Sequence, residues 1–158
     1  MILIDGYNLL WAVKQTGETT GLPDDVELCR ILGRYLKQIG QLGEIIFDGI
    51  GPPDKTGFDN ITNLEVLFSG RNSDADTVIE DKIKADTAPR SLIVVSSDRR
   101  LRDAAHSRKA ASVKSQVFWN DVQKELSKKE KLDEPTQKRQ GLTESETEQW
   151  MKLFGLEQ

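Results

Sequence analysis

The sequence has one cysteine, Cys29, and one histidine, His106, among 158 residues. A single cysteine cannot form a disulfide within the chain, which agrees with a reducing, cytoplasmic setting. Cys29 falls on the apolar stripe of a predicted helix, and this position favours a packing role. His106 stands among charged residues and indicates a surface position. The chain therefore offers little for thiol or imidazole chemistry.

Long apolar runs are also missing, so no stretch is long enough to span a membrane. We expect a cytoplasmic protein without membrane contact. The 22 Lys and Arg residues against 26 Asp and Glu give a formal net charge of −4. This balance argues against bulk electrostatic attachment to nucleic acid, but it permits a local basic rim around an acidic centre.

Short apolar segments alternate with helical patterns along residues 1–131. The alternation predicts an α/β domain with a parallel sheet covered on both faces. Five strands are expected, at 1–5, 44–47, 63–69, 91–97 and 113–119. Residues 132–158 are interpreted as a linker and an amphipathic C-terminal helix carrying Trp150, Leu153 and Phe154. That helix must dock on its own domain, which we favour, on a protein partner or on a second copy in a homodimer.

Three predicted strands end in an aspartate, at Asp5, Asp48 and Asp98. Asp76 opens a helix directly after the third strand. Because parallel strands end at the same edge of a sheet, these carboxylates can converge. Converging carboxylates repel one another unless a proton or a cation intervenes. Such oxygen ligands suit one or two Mg²⁺ or Mn²⁺ ions, which can activate water and bind a phosphate, and the chemistry that follows is phosphodiester hydrolysis.

Each aspartate also fits a purely structural role. Asp98 suits the N-cap of the next helix, and Asp48 suits an Asp-Gly turn. Asp76 could be the acidic partner of a Ser73 cap. The recurrence of aspartate at strand ends is nevertheless hard to explain by capping alone.

Basic and aromatic residues near the strand ends are candidates for contacts with nucleic acid. Arg71 and Arg99 lie nearest to the expected cleft and are the preferred phosphate contacts. Tyr7 and Trp11 could stack on a base, although Trp11, within an apolar run, favours the core. The other basic residues in this region are Arg100, Arg102, Arg108, Lys109 and Lys114.

The chain resembles the NYN family, the YacP-like branch of the PIN-like nucleases, at four points: Ile-Leu-Ile-Asp5-Gly6-Tyr7-Asn8, Phe47-Asp48-Gly49, Ala75-Asp76 and Val-Val-Ser-Ser97-Asp98. The resemblance covers about residues 1–125. It implies a Rossmann-like three-layer α/β/α fold with a central, mainly parallel sheet. It also implies an Mg²⁺- or Mn²⁺-dependent ribonuclease activity from clustered aspartates.

By position, the resemblance implies that Asp5, Asp76 and Asp98 are the catalytic and metal-binding acids. Asn8 corresponds to the amide that orients Asp5, and Asp48 is a further metal-binding acid at the rim. Gly6, between Asp5 and Asn8, is expected to let the backbone turn. The expected substrate contacts are Asn8, Arg71, Ser97 and Arg99. Acids that could complete the site are Asp74, Asp103 and Asp121. After Asp98 the chain departs from better-known members, which leaves its substrate and partners open.

Three functional hypotheses follow. The first is a metal-dependent RNA endonuclease, and the second is a noncatalytic RNA-binding or regulatory module that keeps the fold. The third is a phosphotransferase of the haloacid dehalogenase type, with a phosphorylated aspartate at the first strand end. That chemistry generally uses a second acid two residues after the nucleophile, where this chain has Tyr7. The third hypothesis is therefore the weakest.

Overall fold

The computed structural model describes residues 1–16 and 23–132, the last four as backbone only. Met1–Val122 form one compact unit, and a second begins at Gln123. Among these residues no helix is long and apolar enough to cross a membrane. The predicted linker and the helix around Trp150 lie outside the described residues, so the domain boundary after residue 131 stays a prediction.

A five-stranded parallel sheet forms the centre of the fold. Its strands are β1 (Ile2–Asp5), β2 (Gly43–Phe47), β3 (Leu64–Phe68), β4 (Ile93–Val95) and β5 (Ala111–Val113), in the spatial order β3-β2-β1-β4-β5. The chain builds outward from β1 to β3 and then returns to place β4 on the free side of β1. The strand order thus reverses between β1 and β4, which in open α/β sheets is where a ligand cleft forms.

Helices cover both faces of the sheet. They are α1 (Gly6–Lys14), α2 (Asp25–Ile39), α3 (Ala75–Ala85), α4 (Arg99–Ser107) and α5 (Ser115–Leu132), with short 3₁₀ turns at Thr56–Phe58 and Pro89–Ser91. On one face, Ile79 of α3 and Leu101 of α4 pack with Leu3 and Val94 in a single buried cluster. Strand side chains alternate between faces, so Ile2 and Ile4 point to the other side. The three-layer α/β/α fold predicted from the sequence is confirmed.

Helix α2 begins and ends at residues whose types are typical of helix ends. The Asp24 carboxylate accepts a hydrogen bond from the Glu27 N–H (2.8 Å), and Gly40 ends the helix at φ +70°. Cys29 is fully buried on the apolar stripe. Burial raises the pKa of its thiol to about 12, and nearby acidic residues add to this shift, so the thiol stays protonated and acts as core packing, as expected.

The fifth strand was placed wrongly from the sequence. Residues 113–119 were expected to form it. Instead β5 is Ala111–Val113 and α5 begins at Ser115. Phe118, Trp119 and Val122 are buried at spacings of three and four residues, which is helical periodicity. The segment is rich in β-forming residues, and this composition favoured a strand over the helix that the spacing indicates.

The junction between β1 and α1 also differs from expectation. Helix α1 starts at Gly6, directly after the strand, without an intervening turn. A Cβ on Gly6 would lie 2.5 Å from Cδ1 of Phe47 and 2.9 Å from the Ile46 carbonyl oxygen. Glycine is therefore required because α1 approaches β2 closely. Trp11, expected in the core, is 63% exposed because a helix can bury only one face of an apolar run.

Gly6→Ala should destabilise the protein even though alanine is the better helix former. The added methyl group overpacks the contact with Phe47, and we expect the free energy of unfolding to fall by roughly 1–3 kcal/mol. Urea denaturation followed by circular dichroism measures the change. Lys14→Ala, at an exposed position of the same helix, is the control and should stay within about 0.5 kcal/mol. Equal stability of Gly6→Ala and the native chain would contradict this explanation.

Candidate active site

Asp5 and Asp98 meet where β1 and β4 end. Asp5 is the last residue of β1 and is only 7% exposed. The Ser96 hydroxyl donates to Oδ2 of Asp5 (3.0 Å) and accepts from the N–H of Asp98 (3.0 Å). One buried serine thus ties the end of β1 to the loop that carries Asp98.

Asp76 reaches the same edge from the start of α3. Asp74 is the N-cap of that helix, and its carboxylate accepts from the Thr77 N–H (2.7 Å). Asp48 fastens the helix to the sheet, because its Oδ1 accepts from the Ala75 N–H (2.8 Å). These two aspartates hold the segment that presents Asp76.

The three carboxylates of Asp5, Asp76 and Asp98 act on one another; we call them the aspartate cluster. Burial raises the pKa of Asp5 from 3.8 to about 6, and the charges of Asp76 and Asp98 add to the rise against the opposing effect of the Ser96 hydrogen bond. The pKa of Asp76 is also raised, first by burial and then by Asp98, which acts through its charge and as a hydrogen-bond partner. Segments remote in sequence therefore bring like charges together, as the strand-end pattern predicted.

Asn8 braces the loop after β4 through its side chain. Its Oδ1 accepts from the Ser97 N–H (2.9 Å) and from the Ser115 hydroxyl (2.6 Å). The Ser97 hydroxyl in turn accepts from the Ser115 N–H (3.2 Å). Asn8 was expected to orient Asp5, but its amide orients the loop that leads to Asp98. Only its backbone N–H acts on Asp5, as a small effect that lowers the pKa of that carboxyl.

Other residues predicted for the site lie outside the aspartate cluster. Arg71 is exposed in the loop between β3 and α3. Arg99 and Asp103 pair with each other on α4 (3.8 Å), and both are largely exposed. Asp121 is buried and accepts a hydrogen bond from the Tyr35 hydroxyl (2.8 Å), so it has a structural contact between α2 and α5.

Sequence reasoning did not predict the contacts of Arg100 with Asp76 and Glu80. Nη1 of Arg100 lies 3.9 Å from Oδ2 of Asp76, and its Nε pairs with Oε1 of Glu80. Glu80 stands four residues after Asp76, so the two share a helix face. That spacing was visible in the sequence and could have indicated a second acid beside the cluster.

A divalent cation suits this set of donors. In residues 1–16 and 23–128, no three acidic, histidine or cysteine side chains stand close enough to ligate one ion together. Mg²⁺, however, keeps several waters and needs only one or two carboxylates from a protein. The aspartate cluster supplies carboxylate oxygens of that kind, and their mutual repulsion is what a cation would relieve.

Asp5→Asn should stabilise the protein in EDTA at neutral pH. The folded state holds the Asp5 proton more tightly than the unfolded chain. The free energy of unfolding therefore falls as the pH rises from about 4 to 6. Above that range the full penalty is present, on the order of 3 kcal/mol for a shift of this size. We expect a higher midpoint of thermal unfolding for Asp5→Asn at about pH 7.5, and almost no difference near pH 4.

Differential scanning fluorimetry at both pH values measures this effect. Asp81→Asn is the matched control, because Asp81 is exposed on α3 and should change little at either pH. If Asp5→Asn raised the midpoint of thermal unfolding by the same amount near pH 4 as at neutral pH, an ionisation penalty at Asp5 would be contradicted.

Comparisons with known proteins agree with this fold. The family model of the YacP-like NYN domain matches residues 2–154. The crystal structure of Rae1 (YacP) from Bacillus subtilis is similar with a TM-score of 0.69 at 20% identity, covering 98% of this chain and 92% of the other. The crystal structure of a point mutant of Rae1 is similar with a TM-score of 0.66 at 19% identity, covering 97% of this chain and 91% of the other. No curated protein matches the chain. The chain belongs to the YacP-like NYN domain family, within the PIN-like nuclease superfamily.

Proposed function

We propose that this protein is a metal-dependent endoribonuclease that hydrolyses RNA phosphodiesters. One observation carries the proposal: Asp5, Asp76 and Asp98 come from three separate segments and act on one another where the strand order reverses. Membership of a nuclease superfamily supports the same reaction class.

The aspartate cluster would hold one or two Mg²⁺ or Mn²⁺ ions. When bound there, such an ion lowers the pKa of water and neutralises charge on a phosphodiester. The scaffold keeps the carboxylates in place: Ser96 links Asp5 to the Asp98 loop, and Asp48 holds the start of α3. The proposed ligands therefore stand on rigid elements, which a preorganised site requires.

Single-stranded RNA fits the surface beside the cluster. Tyr7, two residues after Asp5, packs edge-on against Phe47 (5.0 Å between ring centroids) and is 44% exposed. Trp11, four residues further on α1, lies on the same helix face and is 63% exposed. Exposed aromatic rings stack on unpaired bases, and the bases of a duplex are not available for this.

The purified chain should cut labelled single-stranded RNA in Mn²⁺ or Mg²⁺ and leave it intact in EDTA. Asp5→Asn and Asp98→Asn should each lower the cleavage rate by roughly 100-fold or more, because each removes charge from the cluster that binds the ion. Duplex RNA of the same sequence should be cut more slowly. Gel electrophoresis of end-labelled RNA measures the rates.

Asp81→Asn again serves as the control, and circular dichroism checks that every variant is folded. RNA binding without cleavage under all metal conditions would favour the noncatalytic module. Cleavage that survives in both Asp5→Asn and Asp98→Asn would show that the reaction does not use the aspartate cluster.

A further inference from the structure

Arg100 forms an ion pair with the aspartate cluster. Of the ion pairs in the described part of the chain, only one involves Asp5, Asp76 or Asp98, and Arg100 makes it, with Asp76. Its side chain is 51% exposed, so the guanidinium faces both the cluster and solvent. Arg99, preferred from the sequence, has a 93% exposed side chain and pairs within α4. Adjacent helical residues point about 100° apart, so Arg100 faces α3 where Arg99 does not.

Glu80 fixes the orientation of the guanidinium. Oε1 of Glu80 accepts from Nε of Arg100, and its side chain is only 20% exposed. The helices that carry the pair pack together through Ile79 and Leu101 in the core. Both partners therefore stand on elements that are held in place.

The terminal nitrogens of Arg100 keep donors for another ligand. The 3.9 Å between Nη1 and Oδ2 of Asp76 is too long for a hydrogen bond, so Asp76 attracts the group without occupying its N–H donors. A guanidinium held at Nε presents its remaining donors as a fork that matches phosphate oxygens. A positive charge beside three carboxylates also weakens their repulsion of an approaching polyanion.

We propose that Arg100 binds a backbone phosphate of the RNA next to the aspartate cluster and that Glu80 is its positioning residue. The identity of the ligand as RNA rests on the proposed function. The phosphate contact itself follows from the fixed, half-exposed guanidinium at the edge where the strand order reverses.

Binding of a short fluorescent single-stranded RNA to the full chain tests the role of Arg100. The titration is done in Ca²⁺, with a gel to show that the RNA stays intact, over a series of salt concentrations. Arg100→Gln should weaken binding about 10-fold, to the same extent for different RNA sequences. The slope of log affinity against log salt should shrink by about 0.7, the value for one lost phosphate contact on a single strand.

Arg90→Gln is the matched control for Arg100→Gln. It removes the same charge from the exposed Arg90 in the turn that precedes β4, at the opposite edge of the sheet. Its salt slope should equal that of the native chain. Equal slopes for Arg100→Gln and the native chain, or no RNA binding by the native chain, would overturn the proposal.

Glu80→Ala and Glu80→Gln separate positioning from charge. Both remove the same negative charge, but glutamine keeps an oxygen that accepts from Nε of Arg100. We expect weaker RNA binding by Glu80→Ala than by Glu80→Gln. Replacing Arg100 should also cost less affinity in the Glu80→Ala background than in the native chain. Identical binding of the two Glu80 variants, with both folded by circular dichroism, would contradict the positioning role.

The binding and cleavage experiments can fail independently. Arg100-dependent RNA binding without any cleavage would leave the phosphate contact in place and refute the nuclease. Metal-dependent cleavage with native binding by Arg100→Gln would refute the phosphate contact alone.

Discussion

The burial of Asp5 beside Asp76 and Asp98 is the constraint that organises this edge of the molecule. A buried carboxyl whose pKa is raised to about 6 has an unfavourable ionised form, and two further acids make it worse. The fold reduces this cost in part, through the Ser96 hydroxyl and the guanidinium of Arg100. A divalent cation bound as proposed would reduce this cost further.

Side-chain hydrogen bonds at the sheet edge keep the elements that carry the aspartate cluster in place. Asn8 links α1 to the loop after β4 and to the start of α5 through two contacts. Asp48 joins the end of β2 to α3. Capping and site formation are also compatible: Asp98 accepts from the Arg100 N–H (2.9 Å) as an N-cap while its charge acts on Asp76. Asp98 therefore has the N-cap role considered from the sequence, and it also contributes a charge to the aspartate cluster.

The sequence predicted the parallel sheet and the convergence of Asp5, Asp76 and Asp98, because apolar strands and strand-end acids are local patterns with one geometric outcome. The strand predicted at 113–119 was wrong because β-forming residues can also fill one face of a helix. Only the burial of Phe118 and Trp119 decides between a strand and a helix. Which of Arg99 and Arg100 faces the aspartate cluster depends on how α4 is rotated about its axis relative to α3. That rotation is set by core packing, which no local pattern reveals.

The most direct measurement is a crystal structure of the protein soaked in Mn²⁺, with anomalous scattering used to locate the ions. One or two anomalous peaks, each in contact with a carboxylate oxygen of the aspartate cluster, are the result that the account predicts. Well-ordered density for this edge without any manganese peak, or a peak held by other acids, would contradict it.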